Sequence, residues 1–160
     1  MKAIYHKGVQ SLEGIQFGEV EQDKISDDEV IVKLKTAGLN HRDLFIPNRH
    51  NENDPPIVLG SDGAGVVDQI GADVTNVKVG DEVIINPSLG WEKNSAVPPE
   101  GFEITGFPFN GTFAEYITIP AENAVPKPKH LNWEEAGVLA LSAMTAYRAL
   151  FTRGQLKAGQ

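Results

Sequence analysis

The sequence of 160 residues contains no cysteine. Disulfide bonds, thiolate zinc sites and a cysteine nucleophile are therefore excluded. Positive charge is also scarce, because 14 Lys and Arg stand against 22 Asp and Glu and leave a net charge of −8. Acidic residues are concentrated between Glu19 and Glu29. We therefore expect neither nucleic acid nor an anionic membrane surface as a partner.

Long hydrophobic runs are missing as well. The longest nearly apolar run, Ala136 to Tyr147, is too short to span a bilayer, and the N-terminal residues MKAIYHKGV turn polar too early for a signal peptide. The remaining composition, 41% hydrophobic and 22% charged, is that of a globular protein with one well-cored domain or one domain with an appendage. We expect a cytoplasmic location.

Short β-type segments fill the first three quarters of the chain and are separated by Gly, Pro, Asn and Asp. The clearest are KAIYH, EVIVKLKTAG, GAGVVDQIG, DEVIINP and GTFAEYITIP. Regularly spaced short strands of this kind predict a mainly β fold, a compact barrel or sandwich. In EVIVKLK, Val30, Val32 and Leu34 alternate with Ile31, Lys33 and Lys35. The alternation predicts a half-buried strand.

Residues 87–110 interrupt this pattern. They are rich in Pro, Gly and polar residues, with Trp91 and three Phe as possible anchors. We expect a long lobe or loop, and a segment of this length in a compact domain is usually functional or an interaction surface.

A helix is predicted near the end of the chain. Asn132 can cap it, Glu135 completes a capping-box pattern, and the run WEEAGVLALSAMTAYRALFT leads to Gly154, which suits a C-terminal stop. The middle of this run is apolar almost all round, so it needs cover on several sides, and one small barrel covers only one. The last residues, LKAGQ, resemble a turn before a further strand, so we expect a domain boundary here.

Two apparent motifs are rejected. GSDGAG at residues 60–65 has the wrong spacing for a dinucleotide loop and precedes a strand-like segment, so its glycines are interpreted as allowing tight strand entry and close backbone packing. Ser61 lacks the frame and the strand-to-helix elbow of an activated nucleophile, and we interpret it as a turn serine.

Histidines and carboxylates offer no recognisable metal site. His41, Asp43, His50 and Asp62 are conceivable ligands, but their spacing matches no zinc frame. His6, His50 and His130 are each expected to be isolated, solvated side chains near a strand end, a loop or a helix start. No metal ligand is predicted.

Five segments together carry a family likeness. They are GLNHRDLF, PPIVLGSDGAGVV, VGDEVI, GTFAEYITIP and LALSAMTAYRAL, in this order and spacing. The chain thereby resembles the medium-chain dehydrogenase/reductase superfamily over nearly its whole length. The resemblance implies a GroES-like, partly open β-barrel with a few α-helices, including a long C-terminal helix. It also implies a substrate domain over residues 1–125 and, over residues 126–160, a helical connection leading to a nucleotide-binding domain that this chain does not contain.

The resemblance also identifies positions where zinc enzymes of the family carry their ligands. A Cys stands there at the position of Asn40, a His-Glu pair at Ser61 and Asp62, and a third ligand at Leu141. The four-cysteine lobe of those enzymes matches residues 87–110, which have no Cys. The chain is therefore more similar to the zinc-independent branch of quinone oxidoreductase-like and enoyl reductase-like proteins.

The site residues implied by the resemblance are Asn40 and Thr145. Both would face the nicotinamide or the substrate in a catalytic and cofactor-binding role, and His41 would lie near the cofactor phosphates. Alternative interpretations are a turn residue for Asn40 and a hydroxyl bonded back to the preceding helical turn for Thr145. For Asp43 we expect a structural hydrogen bond and no catalytic role.

The resemblance implies NAD(P)H-dependent, zinc-independent reduction of a quinone or conjugated carbonyl by the full-length protein. NADP or NAD would be bound mainly by the part that is missing here, so this chain alone should be inactive, and the full-length protein should be a dimer or tetramer acting on a small molecule. Alternatives are alcohol dehydrogenation with zinc, a non-catalytic binding or scaffold protein, and a co-chaperonin, which shares the barrel.

Overall fold

The computed structural model describes residues 1–91, 93 and 95–159, and strands dominate this part of the chain. Its strands are β1 Lys2–His6, β2 Ile15–Glu19, β3 Glu29–Gly38, β4 Ile57–Val58, β5 Asp62–Ile70, β6 Glu82–Ile85, β7 Ser88–Leu89, β8 Glu103–Ile104, β9 Tyr116–Pro120 and β10 Ala124–Pro126. Its helical segments are α1 Trp133–Gly137, α2 Ala140–Tyr147, a π-helical segment Arg148–Arg153, and 3₁₀ turns Leu12–Gly14, His41–Leu44, Ile46–Asn48 and Ala121–Asn123.

Two antiparallel sheets form the body of the fold. The larger has the strand order β10-β6-β5-β3-β9, and the smaller has the order β2-β1-β4. Strand β1 of the smaller sheet also contacts the segment just before β9, where Ile4 N donates to Phe113 O at 2.7 Å and Ala3 forms a β-bridge with Ala114. Two register shifts along the β3–β5 pairing bend the larger sheet. The prediction of a mainly β, partly open barrel with a few helices is confirmed.

Strand β3 shows how the core is built. Val30 and Val32 are fully buried and Leu34 packs against the same core, whereas Lys33 and Lys35 are exposed. The alternation predicted from EVIVKLK is therefore confirmed, with Ile31 additionally buried on the opposite face. The core also contains buried side chains from β5, β6 and β9, namely Val67, Val83, Ile85, Ile117 and Ile119.

The glycines of the GSDGAG segment have the structural role that the sequence predicted. Gly60 has φ of +94°, a left-handed conformation that favours glycine. A Cβ on Gly65 would collide with the backbone of Lys33 and Leu34 on the neighbouring strand. The segment enters strand β5 directly, so no helix begins here to receive a pyrophosphate.

The predicted C-terminal helix is present but is not continuous. Its capping box is confirmed, since Glu135 N donates to Asn132 Oδ1 at 2.8 Å and Asn132 N donates to Glu135 Oε2 at 3.0 Å. The helix is interrupted after Gly137, and α2 begins at Ala140. Most residues of α2 and of the π-helical segment are exposed. No helix within the described residues has both the length and the apolar character needed to cross a membrane.

The lobe at residues 87–110 has more order than the sequence predicted. It contains the two-stranded β7–β8 sheet, and the rings of Trp91 and Phe102 meet edge to face at 5.0 Å. Arg148 of the π-helical segment lies over the Trp91 ring at 4.6 Å. Residues 92 and 94 of this lobe lie outside the described residues.

Candidate active site

The candidate site forms where three segments meet: the end of β3, the start of β5 and the start of α2. After β3 the chain turns at Asn40 into the 3₁₀ turn His41–Leu44, while Asp62 opens β5. Asn40 N donates to Asp43 Oδ2 at 2.7 Å, and Asp43 N donates back to Asn40 O at 3.0 Å. These reciprocal bonds fix the turn that presents the Asn40 side chain.

Asp62 connects the three segments. Its side chain is 1% exposed, and both of its carboxylate oxygens accept hydrogen bonds. Asn40 Nδ2 donates to Oδ2 at 3.0 Å, and Leu141 N, in the first turn of α2, donates to Oδ1 at 2.7 Å. Asp62 therefore orients the Asn40 amide and caps α2 at the same time.

Arg42 forms a second hydrogen-bonded unit beside the first, which the sequence reasoning missed. Its Nη1 donates to Ser61 Oγ at 2.5 Å and to Thr105 O at 2.8 Å, and Ser61 Oγ donates to Thr105 O at 2.7 Å. Ser61 is completely buried, as expected of a structural serine and not of an accessible nucleophile. The sequence signal was an arginine between Asn40 and Asp43 in the GLNHRDLF segment.

Burial lowers the pKa of the Arg42 guanidinium from its ordinary value; the charge of Asp43 raises this pKa, and the charge of Arg49 lowers it. Arginine nevertheless stays protonated in proteins. The site therefore contains a permanent, half-buried cation next to Asn40.

Asp43 is buried, with 7% of its surface exposed. Burial raises the pKa of its carboxyl, with a smaller contribution in the same direction from the charge of Asp62, while the hydrogen bond from Asn40 N and the charge of Arg42 lower it. Its Oδ1 is buried and has no hydrogen-bond partner within the described part of the chain. The structural hydrogen bond expected of Asp43 is present.

The other two predicted site residues are exposed. The ring of His41 packs edge to face on Phe45 at 4.7 Å. Thr145 Oγ1 donates to Leu141 O at 2.7 Å, which is the back-bond that the sequence offered as the alternative interpretation. Thr145 follows Leu141 by one helical turn on α2 and is exposed. The roles proposed for Asn40, His41 and Thr145 in binding a cofactor stay predictions.

The expectation that His6 and His50 are isolated and solvated was wrong. They are 0% and 3% exposed, and their Nδ1 atoms lie 2.7 Å apart. Each Nε2 faces a backbone carbonyl, at 3.0 Å from Ser11 O and 2.9 Å from Pro55 O. Residues 44 positions apart are brought together where the 3₁₀ turns Leu12–Gly14 and Ile46–Asn48 contact one another, which no local pattern shows. His130 is exposed, as expected.

Two cavities lie outside the Asn40 turn. One of about 730 Å³ lies between the lobe and β9 and is lined by Phe107, Pro108, Phe109 and Ile119 among others, but not by Asn40, Arg42 or Asp62. The other, of about 460 Å³, is an apolar groove along α2 that includes Leu139, Met144 and Tyr147. Hydrogen-bonding geometry therefore identifies the candidate site better than cavity size does.

The fold and this site define a GroES-like domain of the medium-chain dehydrogenase/reductase class. Over residues 26–129 the chain matches the alcohol dehydrogenase GroES-like domain, and it belongs to that family.

Relatives with different activities in their names are similar to this chain. A zinc-type alcohol dehydrogenase-like protein of Schizosaccharomyces pombe is 32% identical over 154 residues, covering 94% of this chain and 44% of the relative. A probable quinone oxidoreductase of Leishmania amazonensis is 35% identical over 139 residues, covering 86% of this chain and 34% of the relative. Among solved structures, an NAD-dependent alcohol dehydrogenase matches with a TM-score of 0.88 and 33% identity, covering 99% of this chain and 49% of that chain. This chain thus spans less than half the length of these relatives.

The zinc in one relative's name raises the question of whether the residues here suit a metal. Within the described residues, no group of three or more His, Cys, Asp or Glu is placed to hold an ion. Leu141 has no ligand atom in its side chain, Ser61 Oγ is bound to the Arg42 guanidinium, and both Asp62 oxygens accept hydrogen bonds. A divalent cation would also be repelled by the guanidinium. The donor set of this site does not fit zinc.

Proposed function

We propose that this chain is the substrate-domain part of an NAD(P)H-dependent medium-chain oxidoreductase that works without catalytic zinc and reduces quinones or conjugated carbonyl compounds. The family and its relatives support the oxidoreductase class. The finer assignment rests on one observation: where a metal-dependent enzyme needs ligands, this chain has hydrogen-bond donors and a cation, supplied by Asn40 and Arg42.

The chemistry follows from what such donors can do. A zinc ion acts as a Lewis acid on a carbonyl oxygen, whereas a well-aimed hydrogen-bond donor stabilises developing negative charge by roughly 3–4 kcal/mol. A conjugated acceptor suits stabilisation by hydrogen-bond donors, which is weaker than that by zinc, because hydride addition at its β-carbon delocalises the charge onto oxygen. The resulting enolate or hydroquinone anion then takes a proton from water. We infer that reduction of a simple ketone is a poor reaction for this site.

The nicotinamide cofactor supplies the hydride when it is bound. The part of this chain in the proposal is to form one wall of the cleft. Asn40 Nδ2 keeps one hydrogen for a ligand after donating the other to Asp62. The exposed Thr145 hydroxyl lies on α2, and the exposed His41 is available for a phosphate group. We propose that NADP or NAD is held mainly by the additional length that the relatives possess.

The proposal includes the surroundings that the sequence predicts. We place the full-length protein in the cytoplasm as a dimer or tetramer with a small-molecule substrate, and with neither nucleic acid nor membrane as a partner. The acidic net charge of −8 supports the last two points.

The test uses the full-length protein, purified without chelator. Its zinc content should be far below one ion per chain, and it should oxidise NADPH or NADH with 1,4-naphthoquinone or a short enone and not with a saturated ketone of similar size. Stoichiometric zinc together with alcohol oxidation would replace the proposal by zinc-dependent alcohol dehydrogenation. Inactivity with every conjugated acceptor would favour a non-catalytic binding protein.

A further inference from the structure

Arg42 has hydrogen-bond donors to spare. An arginine side chain carries its N–H groups on Nε, Nη1 and Nη2. Here Nη1 makes the two bonds that fix the guanidinium, to Ser61 Oγ and Thr105 O. The hydrogens on Nε and Nη2 meet no acceptor among the residues that the structure describes. The side chain is half-buried, so these donors are held in place and still reachable from solvent.

No carboxylate neutralises these donors directly. The ion pairs found between described residues are those of the N-terminus with Glu19 and of Lys127 with Glu82, and Arg42 takes part in neither. The carboxylate oxygens of Asp62 accept hydrogen bonds from Asn40 Nδ2 and Leu141 N, and Asp43 Oδ2 accepts one from Asn40 N. Arg42 is thus anchored by two neutral oxygens, Ser61 Oγ and Thr105 O. A half-buried cation that has no carboxylate partner is stabilised most by a hydrogen bond to an anionic or strongly polarised oxygen.

The position of Arg42 links it to the proposed chemistry. It follows Asn40 by two residues in the same 3₁₀ turn, and its anchor Ser61 is adjacent to Asp62, the anchor of the Asn40 amide. The free Asn40 N–H and the free Arg42 N–H groups therefore belong to adjacent, separately fixed units. Two donors fixed before the reaction are the arrangement that stabilises a developing oxyanion, because they need no reorganisation when the charge appears.

We propose that Arg42 is a catalytic residue that donates hydrogen bonds to the carbonyl oxygen of the acceptor and stabilises the oxyanion formed on hydride transfer, with Asn40 as the second donor. The inference rests on the proposed function and specifies how it is achieved. As the hydride forms the C–H bond at the β-carbon, the C=C π pair becomes the enolate bond between the α-carbon and the carbonyl carbon, and the C=O π pair moves onto the oxygen, which becomes an anion held by the guanidinium. Arg42 keeps its proton throughout, and water protonates the enolate after transfer.

Substitutions in the full-length protein test this assignment. Arg42→Gln should lower kcat and kcat/KM by a similar factor of about 10²–10³, because the interaction is made in the transition state, while KM changes little. The kcat of Arg42→Ala should recover in part when guanidinium chloride is added at millimolar concentration, and should not recover in sodium chloride of equal concentration. Arg49→Gln removes a nearby exposed charge and should leave the rate within about threefold.

A binding measurement separates this inference from the proposed function. 4-Nitrophenolate resembles the product oxyanion and is followed by its absorbance; its affinity should fall in Arg42→Gln and not in Arg49→Gln. Near-wild-type melting of Arg42→Gln shows that the loss is local, and guanidinium rescue of Arg42→Ala shows the same if the Gln variant is unstable. Acceptor reduction that survives Arg42→Gln within about threefold would overturn the inference and leave the proposed function intact. Arg42-dependent phenolate binding without any acceptor reduction would overturn the proposed function and retain Arg42 as an oxyanion-binding residue.

Discussion

At the scale of single residues, the site is made of polar groups whose partners are supplied by distant parts of the chain. Asn40 and Asp62 are 22 positions apart, and Arg42 and Thr105 are 63 apart. Each of these side chains is unremarkable in the sequence, and each is fixed in the fold. Asp43 differs, because one of its oxygens lacks a partner while the carboxyl is buried. Its environment therefore favours the neutral form.

This leads to a pH-dependent effect on stability. Burial raises the pKa of the Asp43 carboxyl in the folded state above its unfolded value. The folded state therefore binds this proton more tightly, and the contribution of Asp43 to the free energy of unfolding rises as the pH falls through the window between the two values. Wild type should accordingly gain stability relative to Asp43→Asn between neutral pH and about pH 4.

Urea unfolding of both proteins across that pH range measures the difference. Because the two proteins share every other acidic residue, the change in their difference reports chiefly on position 43. A difference that stays constant, or that moves in favour of Asp43→Asn on acidification, would show that burial does not control this carboxyl.

Local sequence revealed the residue types of this site but not their partners. GLNHRDLF pointed to Asn40 as a turn residue next to candidate polar groups, and the turn is present. The anchoring of Arg42 on Ser61 and the pairing of His6 with His50 depend on contacts between separate segments, which periodicity and turn chemistry do not encode. Local rules could address Asn40, which they identified as a residue suited to a turn.

At the scale of elements, Asp62 explains why one predicted helix became two. The apolar run from Trp133 onward indicated a continuous helix, and its capping box at Asn132 formed as predicted. Asp62 accepts from Leu141 N, so a new helix start is satisfied in the middle of the run. Gly137 allows the close approach of β3 just before the break, since a Cβ there would collide with Thr36. The interruption is a tertiary effect imposed on a helix-forming sequence.

Replacing this carboxylate should destabilise the fold. In Asp62→Asn one of the two part-buried N–H donors faces an amide NH₂ in place of an oxygen, which should cost about 1–3 kcal/mol in the free energy of unfolding. Asp68→Asn, on an exposed position of the same strand, should stay within about 0.5 kcal/mol of wild type. Equilibrium urea unfolding followed by circular dichroism makes the comparison. Equal effects of the two substitutions would mean that Asp62 does not hold α2.

Strands were predicted from the sequence where apolar, β-branched residues are buried, and one strand with exposed residues was missed. β3 was found with its full extent because hydrophobic and charged residues alternate along it. β2 was missed, and nearly all its residues are exposed, including Phe17 at 73%, so Ile15 and Phe17 do not mark a buried face. Strands β4, β7 and β8 have only two residues each, and their formation depends on the strands with which they pair.

At the scale of the whole molecule, the C-terminal helices expose several large apolar side chains next to one another. Tyr147 is 64% exposed, and Leu150 and Phe151 are 48% and 47% exposed. They continue the apolar groove of about 460 Å³ along α2. A contiguous apolar surface of this kind usually marks an interaction site. In the proposed function it faces the additional part of the full-length protein.

A measurement on this chain alone follows. The 160 residues should not bind NADPH with micromolar affinity, because the GSDGAG glycines lead into β5 and provide no helix start for the phosphates. Calorimetric titration of NADPH into this chain, with the full-length protein as the positive control, checks the expectation. Micromolar binding by this chain would show that the cofactor does not depend on the additional part.

The two hydrogen bonds of Asp62 also link the position of α2 to that of the Asn40 side chain. Leu141 N holds one oxygen of this carboxylate at 2.7 Å, and the Asn40 amide is attached to the other. A displacement of α2 along its axis by more than about 0.5 Å takes the first bond beyond its usual length unless Asp62 follows. The Asp62 carboxylate therefore connects the position of α2 to the position of the Asn40 amide. In the proposed function, a movement of α2 would therefore change the direction of the Asn40 N–H relative to the acceptor oxygen.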